Sequence, residues 1–305
     1  MVDITGIKGE TLEVDYSITN SGDFGSVEDV ELLIDGNVEY VDQDVMITDS
    51  AAGTLYWQAD SIGTYTATVS IAGVSDQITV QVDYIPDSGG THQWNHLENG
   101  GTTLGDSIGT LDATINGATW TSGLGTGGTH LDYDGVDDDS VLSGGASEFT
   151  HFTDAGTGTF FTWITPDTLD DSRVILGSTG TTSEVGAYFA TTGGDLRCSL
   201  FYGTSGVETM AKASYPASAG EWAPVAFTAD GSTLKVWAGD PITEIASDTL
   251  ADSTGSDWSN DPYFGYGPLT DYRHDGGMDL TFTDSDAWTQ SELQSFVDDS
   301  REFYS

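Results

Sequence analysis

Trp222-Ala223-Pro224-Val225-Ala226-Phe227, followed by Asp230-Gly231-Ser232-Thr233-Leu234-Lys235-Val236-Trp237, is the stretch that decides the fold. Val225 and Phe227 stand two apart, as side chains on one face of a strand do. Asp230-Gly231 supplies the residue types that tolerate the backbone of a tight turn. Together they predict a β-hairpin. Upstream, Phe161-Thr162-Trp163-Ile164-Thr165-Pro166 repeats the pattern, and Phe161 and Trp163 are expected to face the same core as Val225 and Phe227. Asp134-Gly135 marks a further tight turn.

Working outward, the C-terminal end changes period. Thr289-Gln290-Ser291-Glu292 is a capping box, and Leu293, Phe296, Val297 and Phe303 or Tyr304 form one apolar stripe. A helix is expected there, packed on the strands. Toward the N-terminus, Leu12, Val14, Tyr16 and Ile18 alternate with polar residues, as do Val30, Leu32 and Ile34. Asp35-Gly36 is a hairpin signal leading to Val38 and Tyr40. With Leu55-Tyr56-Trp57, Tyr65–Val69 and Ile78, Val80, Val82, about seven short strands with turns every 8–12 residues predict a β-sandwich. Ile85-Pro86-Asp87-Ser88-Gly89-Gly90 reads as a linker.

Two resemblances sharpen these expectations. Residues 8–83 resemble the CARDB family of immunoglobulin-like adhesion modules. The matching residues are the strand into Asn20-Ser21-Gly22, Leu33-Ile34-Asp35-Gly36, and Gly63-Thr64-Tyr65-Thr66-Ala67-Thr68-Val69. That resemblance implies a spacer or interaction platform. From residue 91 the chain resembles the laminin-G-like, concanavalin A-like jelly rolls, in blocks that keep the family's order. They are Trp94-Asn95-His96-Leu97-Glu98-Asn99-Gly100, Asn116-Gly117-Ala118-Thr119-Trp120, Leu131-Asp132-Tyr133-Asp134-Gly135-Val136-Asp137-Asp138, the Phe161–Pro166 strand, the hairpin above, and Gly276-Gly277-Met278-Asp279 with the terminal helix. Ala238-Gly239-Asp240 departs from the family's Asp-Gly, so that turn is expected to be re-formed. The expected architecture is all-β. An immunoglobulin-like β-sandwich spans 1–84, a linker 85–90, and a concanavalin A-like jelly roll with a short C-terminal helix 91–305.

Charge bounds the partners. The formal net charge is −43, from 50 acidic and 7 basic residues, and the lysines are Lys8, Lys212 and Lys235 alone. Self-repulsion at this density opposes the compact state unless salt screens it. The Debye length is about 8 Å at physiological ionic strength and about 3 Å at 1 M. Such a surface suits brine, and points to an extreme halophile or something that infects one. An acidic disordered chain is the alternative, but 8 Trp, 13 Tyr and 12 Phe argue for a packed core. Nucleic acid is an unsuitable partner, since phosphate binding needs clustered Lys and Arg. No stretch approaches 18 apolar residues, so no membrane insertion is expected. Cys198 sits among Leu196 and Leu200 and is read as a small buried hydrophobe, with no partner for a disulfide.

Candidate chemistry is sparse. A concanavalin A-like glucanase needs two glutamates at Glu-x-Asp-x-x-Glu spacing, and that pattern is missing, as are Gly-x-Ser-x-Gly, the P-loop and His-Glu-x-x-His. The chain is expected to be non-enzymatic. His92 and His96 lie on an expected strand, where i,i+4 positions are about 13 Å apart, so they are read as ordinary strand histidines. Asp132, Asp134, Asp137 and Asp138, with Asp139 beside them, are a candidate calcium site. The bland alternative is a turn carrying halophilic surface acids, and monovalent cations from high salt are the other counter-ions considered. Trp258, Tyr266, Tyr272, Arg273 and His274 are the candidate glycan-binding set, because sugars stack their C–H faces on aromatic rings while charged side chains read hydroxyls.

Residues 1–6 lack the charged and apolar regions of a secretory signal, and no asparagine begins an N-x-Ser/Thr acceptor site. These features lead to the expectation of a virion surface protein of a haloarchaeal virus: a turret, capsid decoration or tail fibre. Its expected partners are other virion proteins, further copies in a homo-oligomer, and a host cell-surface glycan or glycoprotein. The alternative is a secreted or cell-surface glycan-binding module of a haloarchaeon.

Stability is predicted to require salt. Dialysis from about 3 M to about 0.05 M NaCl should lower the melting temperature or unfold the chain, because screening fails. An unchanged circular dichroism melt across that range would contradict the prediction.

Overall fold

The computed structural model describes residues 4–7, 11–19, 26–47, 50–58, 63–71, 74–83, 88–98, 100–125, 128–169, 172–178, 186–202, 207–250, 258, 260–267 and 272–304. The chain divides into two compact units, Met1–Ile85 and Pro86–Ser305.

The first unit contains β1 (Ile4–Ile7), β2 (Thr11–Thr19), β3 (Ser26–Ile34), β4 (Asn37–Ile47), β5 (Ser50–Gln58), β6 (Gly63–Ile71) and β7 (Val74–Asp83). One sheet runs β1-β7-β6-β3-β4 and the other pairs β2 with β5. Val14 and Tyr16 of β2, Val30, Leu32 and Ile34 of β3, Leu55 and Trp57 of β5, and Ala67 of β6 fill one core between them. This is the immunoglobulin-like sandwich that the alternation predicts. At the β3–β4 turn Asp35 and Gly36 both have positive φ, 46° and 84°, the backbone that a two-residue hairpin loop requires. Asp35 also accepts from Thr66 N at 2.8 Å, tying the turn to β6. Asn20–Gly22, part of the first resemblance, lies outside the described residues.

The second unit contains β8 (His92–Trp94), β9 (Thr103–Leu104), β10 (Ala113–Asn116), β11 (Thr119–Ser122), β12 (Thr129–Asp134), β13 (Asp139–Val141), α1 (His151–Asp154), β14 (Thr157–Pro166), β15 (Arg173–Gly177), β16 (Gly186–Thr192), β17 (Asp195–Tyr202), β18 (Val207–Ser214), β19 (Ala223–Asp230), β20 (Thr233–Ala238), β21 (Thr243–Thr249), β22 (Tyr263–Phe264), β23 (Tyr266–Gly267), β24 (Tyr272–Arg273), β25 (Asp275–Asp284) and α2 (Gln290–Ser300). Short 3-10 turns span Gly145–Phe149 and Arg301–Tyr304. A front sheet runs β18-β17-β16-β15-β22-β13-β10-β9, and a back sheet runs β11-β12-β25-β14-β19-β20-β21, with β8 paired to β25. Ile175, Phe189, Cys198, Leu200 and Phe264 of the front sheet meet Tyr133, Phe160, Ile164, Val225 and Phe227 of the back sheet in one core. The two sheets packed on that core make the concanavalin A-like jelly roll.

Two expectations need correction. Phe161 and Trp163 do not share a core with Val225 and Phe227. The register pairs Phe160 with Phe227 and Thr162 with Val225, so those positions share a face. Phe161 and Trp163 point the other way, toward α2. β14 is apolar on both faces, and a period of two then cannot say which face is inner. The second correction concerns the linker. Ser88 N donates to Gln93 Oε1 at 2.9 Å, and Thr91 N to Thr283 O at 2.8 Å. From Ser88 onward the expected linker is therefore folded into the second unit; residues 84–87 lie outside the described residues.

The outer face of the back sheet is sealed by α2. Its capping box is complete: Thr289 N donates to Glu292 Oε2 at 2.7 Å, and Glu292 N donates to Thr289 Oγ1 at 3.4 Å. Phe296 sits 5.0 Å from Phe161 and 4.8 Å from Phe282, ring centre to ring centre. Trp163 stacks on Tyr304 at 4.1 Å and donates its indole N–H to Ser300 Oγ at 3.0 Å. Tyr304 donates to the buried Asp279 carboxylate at 2.9 Å. Arg301 closes the seal on Asp240 of the β20–β21 turn.

Phe296→Ala is predicted to destabilise the second unit by about 3–5 kcal/mol, and Thr289→Ala by about 1 kcal/mol. Denaturant unfolding in molar salt measures both. Two variants as stable as the parent would show that the helix is an appendage.

Candidate functional site

The outer face of the front sheet is built by strand parity. Phe189, Cys198 and Ala211 point into the core. Their neighbours point out. Val174 of β15, Ala190 of β16, Arg197 of β17 and Lys212 of β18 form one cross-strand row; Tyr188, Ser199 and Met210 form the next. Val174, Tyr188, Ala190 and Phe201 make a small buried apolar cluster on this side. The Arg197 guanidinium lies 5.4 Å from the centre of the Tyr188 ring. It also donates to Ser199 Oγ at 2.9 Å and pairs with Glu208 at 2.5 Å. Lys212 pairs with Asp195 at 2.8 Å.

The hairpin of β23 and β24 adjoins this face. β22 sends Phe264 into the core, which leaves Tyr263 on the outside. Tyr266 meets Tyr263 edge-on at 5.4 Å. The Arg273 guanidinium lies 4.3 Å from the Tyr266 ring centre, and is anchored on Asp138 O and Asp139 Oδ2, both at 3.1 Å. Arg173 pairs with Asp275 at 3.2 Å and donates to Arg273 O at 3.4 Å. Tyr272 is 43 % exposed. Burial pushes the Tyr188 hydroxyl up, Ser172 and Arg197 oppose this, and the Tyr272 phenol adds to it. The hairpin and the sheet face are thus electrostatic neighbours.

Of the seven basic residues of the chain, Arg173, Arg197, Lys212 and Arg273 all belong to this sheet or the hairpin beside it. Each is paired with a carboxylate, so the patch is not a bare cation. Chemically it offers tyrosine rings held by guanidinium groups, with N–H donors and carboxylate acceptors alternating between them. Planar rings and fixed polar groups are what recognition of a polyhydroxylated ligand needs.

The predicted glycan set divides. Tyr266, Tyr272 and Arg273 come together here. Trp258 does not: it is 4 % exposed and packs 5.4 Å from Phe149 in the core. His274 is fully buried against Tyr133, its Nε2 3.3 Å from Gly277 O. Both side chains are taken up by the core and so are not available to a ligand. Tyr188, Arg197, Met210 and Lys212 were not anticipated. Their signal was the apolar alternation of Leu196, Cys198 and Leu200, which turns Arg197 and Ser199 outward.

The acidic turn also divides. Asp134, Asp137 and Asp138 bring one carboxylate oxygen each within 4.8 Å of one another and could hold a cation. Asp132 stands outside that group, two residues back along β12 and so about 7 Å away. The turn itself uses these acids. Asp134 Oδ1 accepts from Val136 N at 2.8 Å, and Asp138 Oδ2 accepts from Asp134 N at 2.8 Å. His92 and His96 are both buried. β8 ends at Trp94, and His96 lies beyond it with φ 56°.

No family model matches the chain, and no curated protein matches it. Solved structures do. The receptor-binding domain of botulinum neurotoxin C/D mosaic serotype aligns with a TM-score of 0.54 at 12% identity, over 68% of this chain and 51% of that one. The botulinum neurotoxin serotype D binding domain gives 0.54 at 12%, over 69% and 51%. The serotype D ligand-binding domain in complex with N-acetylneuraminic acid gives 0.53 at 13%, over 69% and 51%. The chain spans about half the length of these structures. At such identity the likeness carries the fold alone, a β-sandwich.

Burial lowers the His274 ring, the Gly277 carbonyl opposes this and the Arg173 charge adds to it, which together bring it to about 4. An unfolded histidine takes up its proton near pH 6.5. The unfolded state therefore binds more protons between about pH 4 and 6.5, and stability is predicted to fall as pH drops through that window, by at most about 3 kcal/mol from this group. Unfolding curves of the parent and His274→Gln across that range test this. Equal slopes would contradict it.

Proposed function

We propose that the chain is a non-enzymatic adhesion protein whose jelly-roll unit binds a surface glycan on the outer face of its front sheet. Tyr266 and Tyr272 supply ring faces, and Arg273 and Arg197 supply the charged donors that read hydroxyl groups. The observation that carries this is the gathering of scarce cations with tyrosines on one sheet face of a strongly acidic chain. The serotype D domain, crystallised with N-acetylneuraminic acid, supports the reading as an example of a similar fold that accommodates a sugar.

The proposed setting is the exterior of a haloarchaeal virion. The net charge of −43 supports a working solvent of brine. The first unit, on its resemblance to CARDB modules, would act as a spacer within a repeated assembly. Repetition suits weak sugar contacts, since linked sites gain about 10²–10⁴ in avidity when geometry allows. Mass spectrometry of purified virions against a host envelope fraction distinguishes this setting from a haloarchaeal cell surface.

Binding of host envelope glycans in molar salt is the direct test. Tyr266→Ala and Arg273→Ala are expected to weaken binding about tenfold or more, at roughly 1–3 kcal/mol for a lost charged hydrogen bond or stacked ring. Retention by both variants, or release of reducing sugar, would contradict the proposal.

A further inference from the structure

His92 is a buried titratable group that the ligand face does not use. Its strand, β8, pairs with β25, with His92 opposite Thr283. The ring stacks on Trp94 with centroids 5.8 Å apart. A carboxylate stands at each ring nitrogen: Asp106 Oδ2 lies 2.5 Å from Nδ1, and Glu148 Oε2 lies 3.5 Å from Nε2. The chain closes tightly over the first pair, since a Cβ at Gly109 would collide with both His92 Nδ1 and Asp106 Oδ2.

The two carboxylates differ in freedom. The Asp106 side chain is fully buried and accepts from the backbone N–H groups of Gln93, Ile108, Gly109 and Leu111, at 3.1, 3.2, 2.8 and 2.9 Å. Burial would raise its carboxyl, but His92 and these N–H groups outweigh burial and hold it down at about 2. Asp106 therefore stays ionised and keeps a proton on Nδ1. The Glu148 side chain is 47 % exposed and rides on the 3-10 turn Gly145–Phe149, so water can take it up. The state of Nε2 then decides what Glu148 does. Protonated, Nε2 is a charged donor facing a carboxylate that need move less than about 1 Å to reach hydrogen-bond distance. Deprotonated, it is a buried lone pair with no hydrogen-bond partner, turned toward a carboxylate that repels it.

The other charges near the ring come from three elements. α1 brings His151, which burial lowers to about 4, so it carries no charge near neutral pH. β25 brings Asp284, whose Oδ2 accepts from Trp288 Nε1 at 2.8 Å. Asp112 lies behind Asp106 and accepts from its N–H at 2.9 Å. Burial disfavours the His92 imidazolium, but Asp106 and then Glu148 outweigh it and hold the ring above its ordinary value.

We propose that His92 is the gate of a pH-dependent latch between β8 and the Gly145–Phe149 turn. As an imidazolium it bridges Asp106 and Glu148 and fastens the turn. When the Nε2 proton leaves to solvent, Glu148 swings out and the turn loosens. An unfolded histidine titrates near pH 6.5. The latch therefore contributes fully below about pH 6.5 and is lost as pH rises through the higher folded value. His274 acts in the opposite sense, below that pH, so the two titrations are separable.

The test follows the full chain in molar NaCl from about pH 5 to about pH 9 by nitrogen-15 NMR of the histidine rings, with the ring signals linked to the His92 backbone. The His92 midpoint is expected above about 6.5, with Nδ1 still protonated at the high-pH end. Hydrogen–deuterium exchange of residues 145–151, corrected for intrinsic rate, should rise through the same midpoint. Glu148→Gln, at a half-exposed position, should lower the midpoint by about half a unit and remove the pH dependence of exchange. A His92 midpoint at or below about 6.5, a midpoint unmoved in Glu148→Gln, or exchange at 145–151 indifferent to the His92 titration would overturn the latch.

Discussion

The seal between α2 and the back sheet is the contact on which the second unit depends. Phe161, Trp163 and Phe282 form an apolar outer face that water would otherwise meet. Phe296 and Tyr304 cover it, and the buried Asp279 carboxylate ties the last turn down through the Tyr304 hydroxyl. Burying each large side chain is worth about 1.5–3 kcal/mol, and a buried carboxylate demands that its partners stay in place. One sheet is thereby committed to structure on both faces.

That commitment leaves the outer face of the front sheet as the face on which a ligand is proposed. It carries Tyr188, Arg197, Met210 and Lys212 in register, with the Tyr266–Arg273 hairpin beside them. In a chain with 50 acids, a guanidinium is always within reach of a carboxylate. What sets this face apart is that its guanidiniums also lie against rings. Stacking holds both partners flat and reduces the side-chain entropy lost when a ligand arrives.

Much of the fold was legible because local chemistry and tertiary structure agree. Asp35-Gly36 turns where the two positive φ angles fall, and Thr289–Glu292 caps the helix by the hydrogen bonds its spacing implies. The phase of β14 was not legible. Phe160 and Phe161 are adjacent and both buried, so alternation gives no inner face, and only the partner strand decides. Trp258 and His274 misled for the opposite reason: a polar, glycine-rich neighbourhood reads as surface, while the chain dips inward at those points. Half of the proposed ligand face was visible as Tyr266, Tyr272 and Arg273. The rest depends on which strands become neighbours, which no local pattern encodes.

Hydrogen–deuterium exchange of the full chain in molar salt, with and without a bound host envelope glycan, tests the central claim most directly. Protection is predicted along β16 and β17 and in the segment from Tyr263 to Asp275, with the helix α2 and strands β19 and β20 unchanged. Protection confined to the back sheet, to α2 or to the first unit would contradict it.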